Sequence, residues 1–111
     1  MRQWLVNPRM LCRKHLLGEH VEHHMFVGSI NKGVSVEGYL RDGFLEPRTL
    51  RSRHDEVASE MIRRGYNHMS PLPEADIAHL RDGKININNN IKDLRNRCKD
   101  CAARINKIGS R

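Results

Sequence analysis

The most constraining pattern in this chain lies in its C-terminal part. Ile91, Leu94, Cys98, Cys101, Ile105 and Ile108 recur alternately three and four residues apart, a period that only a helix gathers onto one side. Lys92, Asp93, Arg95, Arg97, Lys99 and Asp100 surround them, so residues 84–111 read as a heptad-patterned helix with an apolar seam. Elsewhere no stretch alternates convincingly with the period of a strand. The expected class is all-α, a compact helical bundle forming one domain over residues 1–111.

Helix boundaries are also written upstream. Asn7 suits an N-cap and Pro8 the first helical position, where a missing N–H costs nothing. The helix they open runs to Met25, and Met10, Leu11, Leu16, Leu17 and Val21 make it partly amphipathic. Gly18 inside it costs about 1 kcal/mol against Ala unless something needs close approach there. Residues 26–30 continue as a short apolar helix or turn ended by Gly33, and residues 34–44 read as a loop with a short helical piece. Glu46-Pro47 opens a second major helix reaching about Arg64, with Leu50, Val57, Met61 and Ile62 as its buried stripe. Arg51, Arg53, Arg63 and Arg64 fall largely outside that stripe, and Gly65 stops the helix. Pro73 is expected to start a short helix ending before Gly83. Residues 1–6, short and mostly apolar, are expected to pack against the body and hold the terminus in place.

Of the 111 residues only 38% are hydrophobic and 5% aromatic, which allows one modest core of aliphatic side chains. No apolar run reaches the roughly 18 residues of a membrane span. Arg9, Arg13 and Lys14 interrupt any signal-peptide core, so a cytoplasmic location is expected. An odd count of three cysteines fits reduced thiols rather than a disulfide framework. Twenty Lys and Arg against 13 Asp and Glu leave a net charge of +7, which suits a polyanionic partner, nucleic acid first.

Two clusters invite chemistry. His15, Glu19, His20, Glu22, His23 and His24 follow one another on the first helix, with His20 and His24 on one face and His15 and Glu19 on another. They form no H-E-x-x-H, and a polar surface facing substrate or DNA accounts for them as well as a metal does. Cys98 and Cys101 form a lone C-x-x-C, whereas a zinc site usually needs a second ligand pair. His79 and Cys12 are distant alternatives that no spacing demands. Both cysteines fall on seam positions, which favours packing as small hydrophobes. No metal and no cofactor is expected.

The segment H-L-L-G-E-H-V-E, His15 to Glu22, resembles the H-L-x-x-E-Y-R-E motif of the pyrimidine-dimer DNA glycosylases, the bacteriophage-type endonuclease V family. The likeness continues through Val27-Gly28 and Lys32 and returns at RHDEVASEMIRRGYN, Arg53 to Asn67, covering roughly residues 1–72. It implies a compact all-α domain in a bacterial or phage-infected cell, acting on duplex DNA through the α-amino group of its first residue. That amine attacks C1′ of the damaged nucleotide, and the Schiff base releases the base and permits β-elimination. A bulky Arg2 disfavours trimming of the initiator, so the amine maps to Met1. Glu22 maps to the essential acid/base and His15 to a second proton carrier or phosphate contact. Glu19 and His20 map to further motif positions at the DNA. An α-amine, with a usual pKa of about 7.7–8.0, keeps a useful neutral fraction near neutrality. Only that fraction attacks.

Arg2, Arg9, Lys32, Arg48 and Arg51 are the expected phosphate contacts. They hold the backbone without reading sequence while a nucleotide is extruded. Val21 stands where the family has a basic residue and His20 where it has tyrosine. The C-terminal segment lacks the family's aromatic-rich tail, so the lesion is open. A non-catalytic basic DNA-binding or partner-binding protein of the same fold is the alternative, with the seam as an oligomer interface. A metal-dependent nuclease using the histidines is a third. A monomer is expected, with a dimer through the C-terminal helix as the variant.

Overall fold

The longest helix, α1 (Arg13–Asn31, 19 residues), carries residues of two separate apolar cores and a polar layer between them. The protein is seen in a computed structural model that describes residues 1–68 and 70–108. Four more helices follow: α2 (Glu37–Arg41), α3 (Leu50–Arg63), α4 (Ile87–Arg97) and α5 (Lys99–Ile108). Among the described residues there is no strand, and no helix is long and apolar enough to cross a membrane. The all-α class holds.

One core gathers Trp4, Val6, Met10, Leu11 and Leu16 with Val57 and Met61 of α3 and Ile91, Leu94 and Ile105 of α4 and α5. The other joins Phe26, Val27 and Ile30 of α1 to Val36, Leu40, Leu45, Leu50 and Leu72. Between them α1 and α3 face each other with Glu19, His20 and His23 against Arg53 and His54, all buried. The polar residues therefore occupy the middle of the helix pair, and the apolar ones its two ends.

The first helix does not begin where Asn7-Pro8 suggests. Asn7 does cap, accepting the Arg9 N–H, but it opens only one 3-10 turn, Pro8–Met10, and Leu11 is already extended. The Pro8 carbonyl accepts the Leu11 N–H, and the Cys12 N–H turns to the Cys101 sulfur at 3.3 Å. Arg64 Nη2 donates to the carbonyls of Pro8 and Leu11 at 3.1 and 2.7 Å, so no continuous helical ladder runs through this stretch. The helix restarts with Cys12 as cap, its sulfur accepting the His15 N–H. It then runs unbroken through residues 26–30 and stops just before Gly33, whose φ of 77° is the left-handed conformation that glycine adopts without a Cβ penalty.

In the second major helix, Pro47–Thr49 form a 3-10 turn and α3 closes at Arg63 ahead of Gly65. Two expectations for its faces are corrected. Ile62 is 60% exposed, whereas Arg53 is buried at 2%. The short helix expected after Pro73 does not form. The backbone of residues 70–76 is bound instead by side chains of α1 and α3: Arg51 donates to the Leu72 carbonyl, and Asn31 bonds the Glu74 carbonyl and the Asp76 N–H. Gly83 is held so close to Leu45 that an added Cβ would clash with its carbonyl oxygen.

The C-terminal seam also differs from one continuous helix. Cys98 is extended (φ −137°, ψ 113°), and the chain breaks there into α4 and α5. Ile91, Leu94, Cys101 and Ile105 are buried in the first core, with Cys98 and Ile108 packed against it. The end of the expected helical span, 109–111, lies outside the described residues. These seam residues pack onto Trp4, Val6, Met10, Leu11 and Leu16 and onto Val57 and Met61 of α3.

Candidate active site

The amino-terminal segment crosses the polar layer and is fastened at nearly every residue. The Gln3 N–H donates to the Phe44 carbonyl at 2.8 Å, and the Gln3 side chain, fully buried, bonds His23, Thr49 and the Glu46 N–H. His23 Nδ1 lies 2.8 Å from the Glu19 carbonyl, and burial lowers the His23 pKa, so its ring is neutral with Nδ1–H donating and Nε2 accepting from Gln3. The Arg2 guanidinium stacks on Trp4 at 3.8 Å and on Phe44 at 4.5 Å, and bonds Asp93 and Asn90 of α4. Asn90 in turn donates to the Trp4 carbonyl at 2.7 Å. Leu5, at φ 54°, is a non-glycine residue in the left-handed region, a strain held between the buried Trp4 and Val6.

These anchors bring the Met1 nitrogen to 3.7 Å from Glu22 Oε1. The same carboxylate oxygen accepts the Arg2 N–H at 2.8 Å. Glu22 is 27% exposed and the Met1 side chain 16%, so the pair is fixed but open to an incoming molecule. A Cβ on Gly18, one turn earlier, would meet Glu22 Oε2 at 3.5 Å, an ordinary contact, so close approach does not require the glycine. Carboxylate and amine together can accept and return a proton at one point on the surface.

The remaining expected site residues disperse. Glu19, expected at the DNA, is wholly buried and binds Arg53 through two hydrogen bonds of 2.7 and 2.9 Å. Arg53 also donates to the Val6 carbonyl at 2.6 Å, so this pair ties α1, α3 and the terminal segment together. His20 is 8% exposed and sits among His24, His54 and His68, its Nε2 2.8 Å from that of His68. Burial first, and then the neighbouring imidazoles, lowers its pKa to about 4. His15 makes no hydrogen bond to Met1 or Glu22. Its Nδ1 faces the sulfurs of Cys12 and Cys101 at 3.2 and 3.6 Å. Arg2, expected as a phosphate contact, is 15% exposed, and its guanidinium is bound to Asp93 and Asn90 within the protein.

Arg9, Lys32, Arg48 and Arg51 do lie at the surface. Arg48 and Arg51 carry exposed partners, Asp82 at 3.0 Å and Glu74 at 3.1 Å. Val21, in place of a basic residue, is 54% exposed. Sequence reasoning alone misses Arg53, Gln3, His54 and Asn90 as organisers of the site. For Arg53 and His54 a signal existed: they fall between Leu50 and Val57 on the helical spacing of the buried stripe.

An all-helical chain whose amino terminus is pinned against a glutamate of its first long helix defines the structural class. A family model described as pyrimidine dimer DNA glycosylase matches residues 1–74, and the chain belongs to that family. Comparisons with curated proteins and with solved structures found no match. The matched span ends before α4 and α5, yet Asn90 and Asp93 of α4 hold Arg2.

Proposed function

We propose that this protein is a DNA repair glycosylase and AP lyase acting on damaged duplex DNA, pyrimidine dimers or a related lesion, through the amine of Met1. The observation that carries the reading is the 3.7 Å approach of that nitrogen to Glu22, with the Arg2 N–H on the same oxygen. The neutral amine attacks C1′, the glycosidic C–N bond breaks, and the base leaves with its electron pair and takes up a proton. Glu22 steadies the positive charge at C1′ and accepts the proton the amine loses, and the sugar opens to an imine. Removal of a C2′ proton then expels the 3′ phosphate by β-elimination, and water releases the enzyme.

The exposed Arg9, Lys32, Arg48 and Arg51 supply the nonspecific phosphate contacts. Exchange of Asp82 and Glu74 for phosphate is cheap, because exposed ion pairs are worth about 0–1 kcal/mol.

The test is borohydride trapping of untagged protein on abasic and on UV-irradiated duplex DNA. A covalent adduct is expected with wild type, and none with Glu22→Gln or with an acetylated amino terminus. An adduct that survives the blocked terminus transfers the chemistry to a lysine. Duplex binding with no adduct in wild type leaves the non-catalytic DNA-binding reading in its place.

A further inference from the structure

We propose that Cys12, His15, Cys98 and Cys101 form a structural zinc site that fastens the C-terminal helices to the start of α1. Their ligand atoms all lie within 4.8 Å of one another. Zn–S bonds of about 2.3 Å and Zn–N bonds of about 2.0–2.1 Å make tetrahedral edges of about 3.8 Å between sulfurs and about 3.5 Å from sulfur to nitrogen. The Cys12 and Cys98 sulfurs are 3.8 Å apart, and His15 Nδ1 is 3.6 Å from the Cys101 sulfur and 3.2 Å from that of Cys12. Three of the six donor–donor distances therefore already lie close to the required edges and the others within 4.8 Å, although the two pairs come from ends of the chain 86 residues apart.

The local backbone is built for thiolates. Cys12 caps α1 and Cys98 stands at the junction where α5 begins, so each opens a helix whose free N–H groups favour negative charge. The sulfurs accept backbone N–H groups: Cys12 from His15 at 3.4 Å, Cys98 from Cys101 at 3.4 Å, and Cys101 from Cys12 at 3.3 Å. Each pair also has the same local form, two ligands separated by two residues across a helix start: Cys12-Arg-Lys-His15 and Cys98-Lys-Asp-Cys101. Arg13, Lys14, Arg97 and Lys99 flank the pairs and offset the net negative charge of three thiolates on a divalent ion.

Three sulfurs and one imidazole in a tetrahedral arrangement select zinc over the oxygen-preferring cations, and four protein ligands close the shell to water. Packing alone does not call for a ring nitrogen aimed at two sulfurs. A disulfide needs sulfurs about 2.05 Å apart and leaves the third thiol and the histidine unexplained. None of its four ligands bonds Met1 or Glu22, and its role is to hold α4, whose Asn90 and Asp93 fix Arg2 beside them.

The experiment uses untagged protein from zinc-supplemented culture, dialysed against metal-free buffer and analysed for metal content. One zinc per chain is expected. Thiol counting should find all three cysteines protected, and reactive once a strong chelator is added. Replacement by cobalt(II) should produce strong thiolate-to-cobalt charge transfer and the intense visible bands of a tetrahedral ion. Cys98→Ser/Cys101→Ser should lose the metal. Should that variant fail to fold, the wild-type cobalt spectrum decides alone. No retained metal, a weak octahedral cobalt spectrum, or full zinc content in the folded double variant would each overturn the proposal, the last by placing zinc at His20, His54 and His68. None of these readouts depends on DNA cleavage, so failure here and failure of the glycosylase reading are separate results.

Discussion

Glu19 and Arg53 join α1 to α3 through two parallel hydrogen bonds, and their side chains are 0% and 1% exposed. Two charges can be held there because the guanidinium also satisfies the Val6 carbonyl and Glu56, leaving little of its donor capacity unused. Removing one partner of such a pair leaves the other charged and buried, at a cost of about 3–5 kcal/mol. Arg53→Met should therefore lower the urea midpoint sharply. A Glu19→Gln/Arg53→Met double variant should recover part of the loss, measured as a coupling energy in a double-mutant cycle. Additive losses would refute a direct pair.

Arg2 tests the difference between anchoring and DNA contact. Its guanidinium is occupied by Trp4, Phe44, Asn90 and Asp93. Arg2→Ala should slow borohydride trapping at saturating DNA by about tenfold or more, since small misplacements of reacting groups are costly. The slope of log binding constant against log salt should stay unchanged. Lys32→Ala, by contrast, should reduce that slope by about one if the lysine meets a phosphate. A reduced slope in Arg2→Ala would return it to the interface.

Glu60 should set part of the acid sensitivity. Hydrogen bonds from Arg63, and then from Arg64, depress its pKa from 4.5 to about 2. A depressed carboxylate stabilises the folded state above its unfolded pKa, and that contribution disappears as pH falls through the folded one. Stability should thus drop between about pH 4.5 and pH 2, by at most about 3 kcal/mol and by less because Arg63 is 50% exposed. Glu60→Gln should flatten the unfolding free energy over that window. An unchanged pH profile would remove Glu60 from the account.

Gly83 is needed for room. Its Cα side faces the Leu45 carbonyl so closely that alanine must displace the backbone of one segment or the other. Gly83→Ala should lower the melting temperature and loosen the bond from the Ile85 N–H to Glu46, read as faster amide exchange at residue 85. Gly28→Ala, with open space around the added methyl, should be neutral or slightly stabilising.

Several features were legible in the residues alone. The seven-and-four spacing of Leu50, Val57 and Met61 marks the buried side of α3, and Gly33 and Gly65 mark where α1 and α3 end. The motif from His15 to Glu22 pointed to the family that matches residues 1–74, and it singled out Met1 and Glu22, which the fold brings together. Such signals are local: a periodic stripe or a cap depends on neighbours a few residues away. Tertiary structure alone decided which polar groups lie inside and with whom. Glu19 reads as surface until Arg53 arrives from 34 residues away, because burial of a charge is permitted only by a partner that periodicity does not name. The split of the C-terminal seam at Cys98, and the meeting of Cys98 and Cys101 with Cys12 and His15, belong to the same category. A single helix face records that it will be covered. Its identity as core or interface depends on where the rest of the chain returns.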